Sequence, residues 1–276
     1  MKIYKTYLSI IFFLFSSFLI FGQSSQVPEV IYKYKNQLNN EWQNIEKEFL
    51  GIFGISRQAW EDFKKSRYDQ YKKIENSMKA DHKKSSMLLS GDFKSMVAKF
   101  FASLNIDATN IDFFRNDKKS RLFSTDSGIY LSEERLNQDN LTEDELQVAL
   151  LHEVQHILNK DHSTLCFLGL YAQENWLRRI GCVLFARYRK KYEDMFMRVT
   201  HFREKRADIL AGLHGLKYAR ALLKFYKKEL ETYEDKDTKT HPRSSARVAY
   251  MQKLVDDIQA DPVMHKGFMY KQPVKL

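Results

Sequence analysis

His152 and His156 stand four residues apart with Glu153 between them, in the run Leu150-Leu151-His152-Glu153-Val154-Gln155-His156. On a helix, residues four apart lie one above the other, about 6 Å apart at their Cβ atoms, so both imidazoles can reach one ion. Two imidazoles and an adjacent carboxylate suit Zn²⁺. Glu153 lies about 100° round the helix from His152, beside the metal, where it can take a proton from water held there. This is the arrangement of a zinc peptidase.

A catalytic zinc takes a third protein ligand and keeps one position open. Two candidates follow from spacing. The first is His162, in His152-Glu153-x-x-His156-x-x-Asn159-x-x-His162, with Asn159 at the place where the chain must turn back through a left-handed residue. The second is Glu204, in Glu204-Lys205-Arg206-Ala207-Asp208. There the two carboxylates share a helical face, so that one can bind metal while the other accepts the N–H of a ligating histidine.

A helix must carry these residues. Leu141-Thr142-Glu143-Asp144-Glu145 predicts its start as a capping box, with Thr142 as N-cap and an acidic first turn opposed to the helix dipole. Leu146, Ala149, Leu150, Val154 and Ile157 predict its packed face. Upstream, Val30, Tyr34, Leu38, Trp42, Ile45 and Phe49 keep a helical spacing, Gly51 and Gly54 break it, and Ser56 caps a second helix through Ile74. This region is expected beside the catalytic core or partly over its cleft. Residues 79–86 read as a linker and 91–104 as a helix, followed by short strands over 111–114, 121–123 and 128–131. Gly128, Ile129 and Tyr130 belong either to a core strand or to an exposed edge whose main chain binds an extended peptide. Residues 165–192 read as one buried helix, its longest uncharged piece too short to cross a bilayer. The fold class is therefore α+β, predominantly helical, with a small sheet beside the metal-binding helix.

The 276 residues suffice for one substantial core, and 14% aromatic residues with only 10 Gly and 4 Pro argue against a disordered chain or a many-stranded sandwich. Lys2 and Lys5, an apolar run over 8–21 and then Gly22-Gln23-Ser24-Ser25 predict a secretory signal peptide, with an uncleaved anchor as the alternative. The expected organisation is a signal over 1–23, a helical region over 24–84, a zinc metallopeptidase domain over 85–260 and a tail over 261–276. The expected location is periplasmic or extracellular. The formal charge is +10; removing residues 1–23 takes away two Lys and no acid, leaving +8. The lysines are interleaved with Glu and Asp, which reads as a solvated face. No nucleic-acid partner is expected, whereas peripheral contact with an anionic membrane surface is compatible with the charge. Cys166 and Cys182 on one straight helix would lie about 24 Å apart, too far to bond, so two buried free thiols are expected.

Four segments occur in the order seen in the HtpX and CAAX-prenyl-endopeptidase family of zinc metallopeptidases. They are Asp126-Ser127-Gly128-Ile129-Tyr130-Leu131, the His152-Glu153-Val154-Gln155-His156 helix, Glu204-Lys205-Arg206-Ala207-Asp208, and Thr240-His241-Pro242 with Arg247-Val248. Over residues 87–254 the chain resembles that family. The resemblance implies a zincin-like core, Zn²⁺ as cofactor, His152, His156 and Glu204 as ligands, Glu153 as the base and Asp208 as a supporting carboxylate. It also directs attention to His241, expected either to stabilise an oxyanion or to form a His-Pro turn capping the next helix, and to Arg247, expected to pair with a carboxylate such as Asp208. The chain departs from many members at Gln155, where they have Gly and where the larger side chain is expected to narrow the space beside the metal. It also lacks their spanning helices after the signal, which suits an exported, soluble branch. The expectation is a zinc endopeptidase acting on protein or peptide substrates. The alternatives are a metzincin-like peptidase using His162 and a non-catalytic, zinc-containing binding or chaperone-like module.

Overall fold

The computed structural model describes residues 27–85, 91–107, 111–115, 122–126, 128–131, 141–178, 185–261 and 263–264. The predicted signal peptide, Cys182 and residues 265–276 lie outside them. Helix α1 (Glu29–Phe53) buries the stripe Val30, Tyr34, Leu38, Ile45 and Phe49. It ends at Gly54, whose φ of 64° is the left-handed conformation that favours glycine. Ser56 accepts the Ala59 N–H and starts α2 (Arg57–Ser66). This helix stops earlier than its periodicity predicts, because Arg67 turns the chain, its N–H bonded to the carbonyls of Phe63 and Lys64. Helix α3 (Tyr68–Ser85) then continues through the stretch expected as a linker. Polar residues without an apolar stripe fit a solvated helix as well as a linker, so composition alone does not separate them.

Helix α4 (Gly91–Ser103) precedes three strands, β1 (Asp112–Arg115), β2 (Leu122–Thr125) and β3 (Gly128–Leu131). Their order is β1-β3-β2, with β3 parallel to β1 and antiparallel to β2. Phe114, Tyr130 and Phe123 are in register across the sheet and stack, with ring centroids 4.6 Å apart in each pair. A Cβ on Gly128 would lie 2.6 Å from Phe114 Cε2 and 3.1 Å from the Asp112 carbonyl oxygen, so the close approach of β1 requires glycine here. The edge-strand alternative for Gly128, Ile129 and Tyr130 is therefore corrected. Strand β3 is the central strand, paired on both sides and buried throughout.

Helices α5 (Glu143–Leu158), α6 (Asp161–Arg178), α7 (Phe185–Gly212), α8 (Leu216–Thr232) and α9 (Ser244–Ala260) complete the chain. The stretch expected as one helix over 165–192 contains the end of α6 and the start of α7. Cys166, on α6, is a partly buried free thiol, pushed up to about 11 by burial. Helix α5 lies against the sheet on one side and against α7 and α8 on the other. Helix α1 packs on α7, where Trp42 stacks on Phe202 at 5.6 Å, and joins the end of α9, where Asp261 accepts the Val30 N–H and Asp257 accepts from Lys33 and Tyr34. One apolar core thus runs from Val30, Leu38 and Phe49 to Leu150, Val154, Leu210 and Met264. No described helix is long and apolar enough to cross a membrane.

Candidate metal centre

Helix α5 begins as the sequence predicts. Thr142 accepts the Glu145 N–H and Glu145 accepts the Thr142 N–H, closing both halves of a capping box. Three turns on, His152, Glu153 and His156 are all buried, between 7% and 9% exposed. The helix ends at Asn159, which keeps φ at −95°; Lys160, not Asn159, takes the left-handed conformation, at φ 52°. That turn starts α6 at Asp161, directly beneath His156.

His152 Nε2 and His156 Nε2 lie 3.0 Å apart. Glu204, on α7, places Oε2 3.5 Å from His152 Nε2 and Oε1 3.4 Å from His156 Nε2. Three atoms each about 2.1 Å from a common tetrahedral ion stand about 3.4 Å apart. The two imidazole nitrogens and the Glu204 carboxylate, which turns a different oxygen to each of them, come near such spacings, and among the described residues these three side chains form the group able to hold one ion.

Each histidine is held from behind by a buried carboxylate. His156 Nδ1 is hydrogen-bonded to Asp161 Oδ2 at 2.7 Å, while His152 Nδ1 lies 2.8 Å from Asp208 Oδ1 as a close ion-pair contact off the hydrogen-bonding direction. A carboxylate at Nδ1 favours the tautomer with its proton there, leaving the Nε2 lone pair for a metal. Asp208 accepts in turn from Nε and Nη2 along one edge of the Arg247 guanidinium, at 3.0 and 2.9 Å, and from the hydroxyls of Tyr226 and Tyr250. Arg206 and Arg203 converge on Asp161.

Electrostatics follow from this packing. Burial alone would lower His152, but Asp208 and then Glu204 outweigh it and raise the imidazole to about 10. His156 is raised in the same way, by Asp161 and Glu204 against burial. Burial would lift Glu204, yet its contacts with the two histidines hold it well below the usual carboxylate range.

His152 opens on a cavity of about 380 Å³ between α5 and α8. His152, Glu153, Glu204, His241 and Arg247 line it, with Leu122, Val148, Leu222 and Phe225 supplying apolar wall. No residue of α1 or α2 does. Gln155, expected to narrow the space beside the metal, is fully buried but does not line this cavity. His241 is half exposed, its Nε2 3.4 Å from Glu204 Oε2. The loop carrying it is tied to α7, where Thr200 and His201 bond the carbonyls of Lys239 and Thr238. His241 is not the cap of α9, because Asp237 and Asp235 take the N–H groups of Arg243 and Ser245.

The sequence-derived residues His152, Glu153, His156, Glu204, Asp208, His241 and Arg247 are thus brought together. His162 is not part of the donor group. Its Nε2 meets Cys166 Sγ at 3.6 Å, and its backbone N–H is bonded to Asp126. Asp161, Tyr226 and Tyr250 were missed in the sequence. Asp161 had one signal, a carboxylate just past the end of a histidine-bearing helix; the tyrosines had none. No protein-family model, no curated protein and no solved structure matches this chain.

Proposed function

We propose that this chain is a zinc-dependent endopeptidase with a zincin-like core. The observation that carries this reading is the convergence of His152, His156 and Glu204 beside a cleft that His152, Glu204 and Glu153 line. Zinc bound there would acidify water and polarise the scissile carbonyl. Glu153 accepts the proton of the attacking water and returns it to the leaving amine. Thr240 Oγ1, 2.8 Å from His241 Nδ1, can donate to that nitrogen and leave Nε2–H as a donor facing the cleft. Partial burial lowers His241 below its ordinary range, so at neutral pH it serves as a neutral hydrogen-bond donor to the developing oxyanion. Asp208 and Asp161 fix the two imidazoles so that no reorientation is needed.

The substrate is an unfolded protein or peptide. Among the described residues β2 is an outer strand of the sheet, and its Leu122 lines the cavity, so main-chain pairing of an extended substrate belongs to β2 rather than to β3. The pattern of residues 1–23 supports action outside the cytoplasm, in the periplasm or beyond.

The test is hydrolysis of unfolded casein by the zinc-loaded protein. Glu153→Gln is expected to keep one zinc per chain and lose about 10²–10⁴ in kcat/KM. A folded parent that binds zinc and cleaves nothing would favour the non-catalytic module; turnover retained by zinc-loaded Glu153→Gln would remove Glu153 from its role.

A further inference from the structure

On the far side of Asp161 from the histidines lies a second cavity, of about 470 Å³, bounded by α1, α2, α6 and α7. It shares no lining residue with the cleft. Trp42, Phe49, Trp60, Phe167 and Val199 give it an apolar, largely aromatic wall, and Arg206 lines it as well. Arg206 is only 7% exposed. One of its terminal nitrogens bonds Asp161, while its Nε has no hydrogen-bond partner among the described residues.

The charge at this end of the cavity is unbalanced. Asp161 Oδ2 is taken by His156, and its Oδ1 faces both Arg206 and, at 3.3 Å, Nε of the buried Arg203. Glu46, the other carboxylate lining the cavity, is paired with Arg57, and of the two lysines in the lining Lys64 is paired with Glu61 while Lys160 stands beside Asp161 in the chain. A buried guanidinium lining a cavity is strongly favourable for an added anion, because its desolvation has already occurred on folding.

We infer that this cavity binds a small organic carboxylate, its headgroup on Arg206 and its apolar body among Trp42, Phe49, Trp60 and Phe167. A planar carboxylate matches a guanidinium, and Lys160, which also lines the cavity, adds to the positive charge, whereas a hydrated dianion such as phosphate would lose its water against aromatic walls. The volume lies within the range of small-ligand sites. The site shares Asp161 with the metal centre, which makes it a direct route for a second ligand to act on His156. None of this depends on the catalytic reading.

Calorimetric titration of the zinc-loaded full chain with decanoate, and with decan-1-ol as the neutral counterpart, tests it. Decanoate is expected to bind saturably and at least tenfold more tightly than decan-1-ol. Arg206→Gln should remove that preference. Because this substitution also disturbs Asp161, a second variant is needed: Asn39→Phe fills the cavity from a partly exposed lining position and should weaken both ligands. Equal affinity of the two ligands for the parent, no saturable decanoate binding, or decanoate binding unchanged by Asn39→Phe would each overturn the proposal.

Discussion

Asp208 and Asp161 perform the same task for two different histidines, and they are held in place differently. Asp208 is fully satisfied by Arg247, Tyr226 and Tyr250, whereas Asp161 is shared among His156 and two arginines. Asp161→Asn keeps the volume but removes the charge that orients His156, and zinc affinity is expected to fall about 10–100-fold, measured by competition with a chelating dye. The sign of the pH dependence follows from His152. Its folded-state value of about 10 lies above the ordinary imidazole value. In the chelator-treated protein it therefore contributes stability that is fully present below about pH 6.5 and lost as pH rises through about 10. Melting of the metal-free protein should drop over that interval, and zinc, which displaces the proton, should flatten the drop. A metal-free melting temperature unchanged between pH 6.5 and 10 would remove His152 from that account.

At the scale of elements, the turn between β2 and β3 reaches the metal centre through a cap. Asp126 accepts the N–H groups of His162 and Ser163 at the start of α6, and it is held by the Tyr71 hydroxyl at 2.7 Å. This is an N-cap supplied from 36 residues away. It anchors the helix end from which Asp161 meets His156. Asp126→Ala is expected to cost about 1–2 kcal/mol in urea unfolding and to weaken zinc binding as well. An unchanged midpoint would mean that other contacts position α6. Much at this scale was legible in the sequence: the Thr142–Glu145 capping box, the Gly54 stop and the Ser56 cap all act within five residues of their partners. The break at Arg67 and the left-handed Lys160 were not, because neither residue type marks its position.

For the whole molecule, α1 is part of the core rather than an attachment. Its buried stripe meets α7, and its first turn is bonded to Asp257 and Asp261 at the other end of the described chain. A chain beginning at Arg57 would expose the partners of Leu38, Ile45 and Phe49, each worth about 1.5–3 kcal/mol when buried. That loss rivals the stability of an ordinary domain. Such a truncation should lose its cooperative thermal transition by circular dichroism; a retained transition would show that the chain from Arg57 onward folds without α1.

The sequence by itself determined that a helix starts at Thr142 and presents His152, Glu153 and His156, that Glu204 and Asp208 share a face, and that three short strands lie upstream. These are periodicities and caps, set by sterics and hydrogen bonds between near neighbours. Tertiary structure alone decided that β3 is central, that Glu204 rather than His162 faces the histidine pair, that Asp161 backs His156, and that Arg206 is left with a surplus charge beside an aromatic cavity. Strand order and buried ion pairs join residues far apart in the chain. They are settled by which desolvated groups can all be satisfied at once, and that balance exists only when the whole core is assembled.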